Sequence, residues 1–311
     1  MLSSPPNLLI GHKQPFQRLL SLYEQQTLSP CWLLNGQQGI GKATFAQILA
    51  QRVLEKNSIN PDGLSSGLVQ RQTQIGSYPN LLTIRKPLVE EEKTHEIPLS
   101  EAKKVINFLT HSAIIPGWRV VIVDAANELN RSASNCLLKI IEEPPPKTLI
   151  LLICHAWGQV LPTLRSRCQR LDFSPLTIEE VKDKDLAVDG DLFNVCQGSL
   201  GYYQQLIKAD GHKFLKNLQT MIQAARQGQW IHLQKFCQDI AKLPNHFECL
   251  LWLLPYLIYK ESVNSKSEDQ LHWLTVAQKL NHLLDQAKTS YLDKTHLLLN
   301  CFLLIENPYV S

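Results

Sequence analysis

Short apolar runs alternate with helical patterns along the first half of the chain. Four runs predict buried strands, at residues 31–35 (CWLLN), 81–84 (LLTI), 119–124 (RVVIVD) and 148–154 (TLILLIC). The last two are continuously apolar, which is typical of central parallel strands. Helical patterns at about 100–112 and 132–143 lie between the strands, and three prolines, Pro144 to Pro146, stop the second helix. This alternation predicts an α/β fold with a doubly wound parallel sheet.

The strand pattern ends at Pro175, and helical patterns follow. A small helical segment reaches about Lys208, and leucine-rich helices follow from Gly211, with breaks expected near Pro244, Pro255 and the polar stretch 262–269. A chain of 311 residues is long enough for two or three domains. We therefore predict an α/β domain over 1–176, a helical lid over 177–210 and an all-helical domain over 211–311.

The composition is that of a folded protein, with 44% hydrophobic and 19% charged residues. The net charge of +3 does not by itself indicate nucleic-acid binding. Eight cysteines include no C-x-x-C pair, and the closest two are twelve positions apart, so structural zinc is not expected. The pattern favours reduced, buried thiols. No stretch has the pattern of a signal peptide or a membrane span, so we expect a cytoplasmic protein without a membrane partner.

The stretch GQQGIGKAT resembles a phosphate-binding loop between a strand and a helix. Gly36, Gly39, Gly41 and Lys42 would supply the backbone cradle and the positive charge. Ala43, however, stands where the pattern requires the Ser or Thr hydroxyl that ligates magnesium. The adjacent Thr44 is a further candidate for nucleotide binding. It does not replace the missing hydroxyl, because one helical step turns a side chain by about 100°.

The strand RVVIVD ends in Asp124, the position of a magnesium-facing carboxylate. Hydrolases of this class often place Glu directly after that Asp, but this chain has Ala125, and Glu128 is expected on the following loop or helix. Two parts of a hydrolytic site are therefore missing. The residues leave open whether the loop still binds nucleotide or is a vestigial turn.

The helix predicted over 132–143 has a core face formed by Leu137, Leu138, Ile140 and Ile141. Its polar positions are Asn135, Lys139, Glu142 and Glu143.

Three arginines, Arg165, Arg167 and Arg170, lead into a further apolar strand within LPTLRSRCQRLDF. Their spacing alone indicates surface arginines at the edge of the sheet.

Seven ordered landmarks resemble the AAA+ clamp-loader family, and in particular its delta-prime branch in the form found in alphaproteobacteria. They are LIGHKQ, GQQGIGKAT, GSYPNLLTI, WRVVIVDAANELN, NCLLKIIEEPPP, SRC (166–168) and QGSLG (197–201). They extend over most of the chain.

The resemblance implies a subunit of the DNA polymerase III holoenzyme within a five-membered ring that opens a sliding clamp and closes it around primed DNA. Its implied partners are the delta and gamma/tau subunits, the beta sliding clamp through the complex, and primer–template DNA. The last domain would be the helical collar, and delta-prime would act as a stator without intrinsic ATPase activity.

The resemblance also assigns residues. Arg167 would be an arginine finger that reaches the γ-phosphate of ATP on a neighbouring subunit, with Ser166 and Cys168 shaping its turn. No cofactor would be required, although ATP or ADP binding at the degenerate loop is open. The zinc module of many relatives is not expected, since residues 55–80 contain no cysteine, and no second sensing arginine occurs at 198–201.

Two alternatives belong to other functional classes. One is an active clamp-loader ATPase of the gamma/tau type, which requires the hydroxyl at position 43 and the carboxylate at position 125 that are absent here. The other is a P-loop kinase or other phosphotransferase, which would need a substrate site and a closing lid.

Overall fold

The structure of the chain is a computed structural model that describes residues 9–57, 70–73, 76–87, 96–113, 115–183, 186–264, 267–289 and 293–305. The chain divides into two compact units. One comprises Met1–Val188 with Gln197–Leu200, and the other comprises Asp189–Cys196 with Gly201–Ser311. The predicted boundaries of a separate lid stay a prediction.

Five parallel strands form the sheet of the first unit. They are β1 (Cys31–Asn35), β2 (Leu81–Arg85), β3 (Arg119–Asp124), β4 (Thr148–Cys154) and β5 (Gln169–Asp172). Their spatial order is β2-β3-β4-β1-β5, and each neighbouring pair is parallel. The predicted doubly wound parallel sheet is confirmed.

Two apolar cores cover the two faces of this sheet. The helices that contribute are α1 (Lys13–Glu24), α2 (Lys42–Asn57), α3 (Leu99–Thr110), α4 (Arg131–Glu142) and α5 (Pro162–Arg165). A short helix, α6 (Ile178–Lys182), follows the last strand. One core joins α1 and α2 to strand residues such as Leu34 and Ile122. The other core joins α3 and α4 to strand residues such as Leu33 and Val121. Successive strand residues point to opposite faces, so each strand contributes to both cores.

The predicted core face of α4 is largely buried: Leu137, Ile140 and Ile141 are buried, and Leu138 is partly buried against the same core. Asn130 caps this helix, because its side-chain oxygen accepts a hydrogen bond from the Ala133 amide at 2.7 Å. The cap and the prolines after Glu143 define the two ends of α4.

Helices make up the described chain beyond α6. They are α7 (Gly190–Val195), α8 (Leu200–Lys208), α9 (Gly211–Arg226), α10 (Trp230–Ala241), α11 (Pro244–Asn264), α12 (Ser267–Thr289) and α13 (Lys294–Leu303). Buried leucines from α9 to α13, including Leu218, Leu233, Leu253 and Leu280, form one core.

The helix break expected at Pro255 is wrong, because Pro255 lies inside α11. Proline removes one backbone hydrogen bond. Nevertheless, the residues around it, Leu253, Leu254, Leu257 and Ile258, are all buried, and their packing holds the helix. The helix starting at Pro244 and the end of α11 at Asn264 agree with the other two expected breaks. None of the helices in the described ranges is long and apolar enough to cross a lipid bilayer.

Candidate functional site

The glycine-rich loop leaves the carboxyl end of β1 and enters α2. Gly36 has no room for a side chain, because an added Cβ would lie 2.7 Å from the Phe173 carbonyl oxygen and 2.9 Å from the Ile40 side chain. Gly39 and Gly41 have φ angles of 79° and 100°, which other residues rarely adopt. The turn therefore needs glycine for two reasons, close packing and backbone conformation.

Lys42 is buried at the start of α2, with 2% of its surface exposed. Its ammonium donates a hydrogen bond to the carbonyl oxygen of Gly36 at 2.6 Å and another to that of Gln37. Burial lowers the pKa of Lys42 from 10.5 to about 8, although the nearby Cys154 and Asp124 oppose that shift. The lysine is still mostly charged at neutral pH, and its charge is directed at its own loop.

The magnesium side of the site is incomplete. Ala43 and Thr44 are both exposed. Asp124 lies at the end of β3, where burial raises its pKa, while the positive charges of Arg85 and Lys42 act in the opposite direction. The described ranges contain no cluster of three or more potential metal ligands. The loop and Lys42 fit phosphate groups, whereas Asp124 lacks the hydroxyl partner that a magnesium site of this type needs.

His155, which the sequence analysis missed, adjoins this site. It directly follows β4, and its Nε2 lies 3.9 Å from a carboxylate oxygen of Asp124. Burial and the charge of Lys42 lower the pKa of His155 to about 4, so the ring is neutral at pH 7 and the contact is not an ion pair. Its buried Nδ1 has no hydrogen-bond partner within the described residues. The sequence signal that could have identified His155 is its position directly after a continuously apolar strand.

The segment containing LIGHKQ lies against the other side of the loop. The His12 Nε2 hydrogen bonds with the Ile40 carbonyl oxygen at 2.8 Å, and the His12 ring contacts Phe173 edge-on. A cavity of about 570 Å³ opens beside it; its lining residues include Gly11, His12, Lys13, Asp172, Ser174 and Glu180. The carboxylates of this lining favour an uncharged part of a ligand over a phosphate.

Arg167 lies at the amino ends of the strands, whereas the loop lies at their carboxyl ends. It precedes the amino end of β5, and the neighbouring Cys168 Sγ is 3.0 Å from the Sγ of Cys31, the first residue of β1. The glycine loop follows the carboxyl end of that same strand, β1. Since each residue of a parallel strand adds about 3.3 Å, the length of β1 separates Arg167 from the loop by roughly 10 Å or more.

The Arg167 guanidinium makes a dense set of contacts within the chain. Its Nε and Nη2 contact one carboxylate oxygen of Glu142, at the end of α4. Its Nη1 donates to the Thr163 carbonyl oxygen at 3.0 Å and to the Ser166 hydroxyl at 3.3 Å. The side chains of Arg167 and Glu142 are 36% and 45% exposed. Ser166 thus contacts the guanidinium directly, and Cys168 packs toward the sheet.

The other two predicted arginines have different surroundings. Arg165 and Arg170 flank the Trp157 ring, with guanidinium carbons 5.2 and 4.2 Å from its centre. Arg170 also pairs with Asp172 at 2.8 Å, and Asp172 accepts a hydrogen bond from Asn35. The three arginines therefore do not form one cluster, and Arg167 alone among them contacts Glu142 in the described structure.

Comparison with known proteins gives a coherent set of similarities. A family model described as "DNA polymerase III, delta subunit" matches residues 11–177, just over half of the chain. This chain is 30% identical over 137 residues to DNA polymerase III subunit delta' of Pseudomonas aeruginosa. The matched region covers 44% of this chain and 40% of that protein. It is 27% identical over 173 residues to the Bacillus subtilis subunit delta', covering 55% and 50% respectively. In both comparisons the chain spans half or less of the relative's own length.

Among solved structures, the chain is similar to a DNA polymerase III gamma subunit-related protein from Thermotoga maritima. The sequence identity is 18% and the TM-score is 0.47, with 92% of this chain and 98% of that chain covered.

Proposed function

This chain belongs to the DNA polymerase III delta-subunit family, and on that premise we propose that it is the non-hydrolysing delta-prime stator of a clamp loader. It would associate with delta and gamma/tau subunits and, through the complex, help load the beta sliding clamp onto primer–template DNA. Its own contribution to chemistry would be Arg167, offered to ATP on a neighbouring subunit.

The position of Arg167 is the observation that carries this proposal. The residue precedes the amino end of β5, whereas the chain's own phosphate-binding loop lies beyond the carboxyl end of β1. A guanidinium at that end of the sheet is too far away to reach a phosphate in its own loop, but 36% of the Arg167 side chain is open to solvent. The geometry therefore supports action on a phosphate held by another chain.

The degenerate loop supports the non-hydrolysing part of the proposal. Ala43 and Ala125 replace two polar groups of a hydrolytic site, and Lys42 donates to its own loop carbonyls. Loop glycines and Lys42 would hold the phosphates of any nucleotide that displaced those contacts. A bound magnesium ion would supply charge neutralisation, but Asp124 alone is a poor ligand set for it. We propose that no cofactor is required.

The test is ATP turnover by a complex reconstituted from this chain, delta and gamma/tau, with primed DNA and the clamp. To isolate one interface, the gamma/tau subunits would carry Ala at the arginine of their own Ser-Arg-Cys motif. Arg167→Ala is then expected to remove most of the remaining DNA-stimulated turnover, since arginine fingers contribute about 10³- to 10⁵-fold elsewhere.

Arg170→Ala is the matched control. It removes the same charge three positions after Arg167, from an arginine that pairs with Asp172 instead of Glu142. It should leave turnover near the starting value. Normal turnover by an assembled Arg167→Ala complex would overturn the finger assignment. Turnover by the isolated chain would instead favour an active ATPase.

A further inference from the structure

The carboxylate of Glu142 occupies the donors through which Arg167 would bind a phosphate. A guanidinium has five N–H groups. In this structure Nε and Nη2 face Glu142, while Nη1 faces Thr163 and Ser166. A fork-like contact with a phosphate uses two of these nitrogens together. An incoming phosphate therefore has to exchange with a contact that is already made.

Glu142 is an unusual residue for its position. It is the last residue of α4, and Glu143 is the C-cap. The carboxyl end of a helix carries partial negative charge and favours cations, so two carboxylates there are in electrostatic conflict with the helix. Arg167 relieves that conflict for Glu142. No ion pair of Glu143 is found in the described part of the chain.

The strength of the contact suits an exchange. Both side chains are more than one-third exposed, and exposed ion pairs contribute little to stability because water screens them. A terminal phosphate carries more negative charge than a carboxylate and can accept two parallel bonds from the guanidinium, whereas Glu142 accepts through one oxygen. The pair can thus hold the guanidinium in place without preventing its transfer to a stronger anion.

We propose that Glu142 is the resting counterion of Arg167 and competes with the terminal phosphate of a nucleotide on the neighbouring subunit. This inference rests on the proposed function of Arg167. Glu142 would keep the guanidinium ordered before the nucleotide arrives, and would raise the nucleotide concentration needed to engage it. Glu142 is then a positioning residue whose removal helps, rather than harms, nucleotide engagement.

The experiment uses the reconstituted complex in which Arg167 is the finger under study. Glu142→Gln keeps the size of the side chain and removes its charge. We expect the KM for ATP to fall by about two- to five-fold, the range that an exposed ion pair would contribute. Glu143→Gln removes the same charge from the next residue, which is also exposed, and should leave the KM unchanged.

A double substitution tests whether the effect passes through the arginine. In the Arg167→Ala background too little turnover is expected for a KM, so the binding of a non-hydrolysable ATP analogue is measured instead in all four complexes. There Glu142→Gln should tighten analogue binding only when Arg167 is present, because the competing pair is otherwise absent. A KM that rises or stays constant in Glu142→Gln, or turnover that falls as it does in Arg167→Ala, would overturn the competition while leaving the finger assignment intact. Normal turnover by Arg167→Ala would overturn both. Tighter analogue binding by Glu142→Gln that persists without Arg167 would also overturn the inference.

Discussion

The ammonium group of Lys42 lies 2.6 Å from the carbonyl oxygen of Gly36, so the two ends of the glycine-rich loop are joined by a hydrogen bond. Lys42 also donates to Gln37 and is almost completely buried. A phosphate entering the loop must therefore break these contacts or bind without the full charge of the lysine. Any nucleotide affinity of this chain is expected to be weak for that reason, in addition to the missing magnesium ligand.

Restoring the missing hydroxyl should strengthen nucleotide binding without creating an ATPase. Ala43 is exposed at the start of α2, so Ala43→Thr fits without displacing core residues. We expect ATP affinity to rise on the order of ten-fold with Mg²⁺ present, the effect of completing a metal environment. Titration calorimetry with and without Mg²⁺ measures this.

Thr44→Ala is the control for that substitution and should leave the dependence of ATP affinity on Mg²⁺ unchanged, because its side chain points one helical step away from position 43. A gain in affinity that is independent of Mg²⁺ would contradict the expected ligand role. Turnover by Ala43→Thr would contradict the importance assigned to Ala125.

The pH dependence of stability should contain a component from His155. Burial lowers the pKa of this ring from 6.5 to about 4, so between those pH values the unfolded chain binds a proton that the folded chain does not. Stability is consequently lost as the pH falls through this window. Between pH 7 and pH 5 the loss is expected to be about 2 kcal/mol.

His155→Gln should remove this component, and urea unfolding of both proteins at the two pH values measures it. The buried His12 contributes equally to both proteins, so the comparison isolates His155. Equal losses in the two proteins would show that His155 takes up its proton normally in the folded state.

Replacing Gly36 with alanine should cost more stability than replacing Gly76. A methyl group at Gly36 meets a backbone oxygen at 2.7 Å, whereas at Gly76 it meets open space. We expect Gly36→Ala to reduce the free energy of unfolding by about 1–3 kcal/mol, as overpacking does. Gly76→Ala, at a φ of 69°, carries mainly a backbone cost of about 1–2 kcal/mol.

Thermal and urea unfolding of these two variants would compare them directly. A Gly36→Ala protein with the wild-type melting temperature would mean that β1 and Phe173 can move apart at little cost.

Lysine should be a poor replacement for Arg167. The arginine contacts Glu142, Thr163 and Ser166 through three different nitrogens, and a single ammonium cannot reproduce that fork. We expect Arg167→Lys to retain less than about a tenth of the turnover that depends on Arg167, given the size of finger effects. The single-interface assay described above measures it, and turnover close to that of wild type would indicate that charge alone suffices.

The parts of the fold that sequence could predict are those governed by local pattern. The bounds of β1, β3 and β4 were predicted because central parallel strands are continuous apolar runs between turn residues. Pro255 shows the limit of local rules, since burial of its neighbours outweighs the loss of one hydrogen bond. A single sequence contains no direct record of that tertiary packing.

The site divides in the same way. Spacing identified the loop and Asp124, and the family resemblance singled out Arg167, because each lies in a contiguous stretch of sequence. The contact between Arg167 and Glu142 joins residues 25 positions apart and depends on where α4 ends relative to α5. The contact between His155 and Asp124 likewise requires adjacent strands to end at one level. Such relationships follow from register, which periodicity does not determine.

Because Arg167 and the glycine-rich loop lie at opposite ends of the sheet, the two surfaces that this subunit offers to neighbours are different. Subunits that each offer an arginine from one edge and hold a nucleotide at the other can associate only head to tail, not as symmetric pairs. A subunit that donates an arginine to a neighbour, but does not itself need one, fits at one end of such an assembly. The proposed stator would therefore occupy one end of the series, beside the subunit whose nucleotide its arginine contacts.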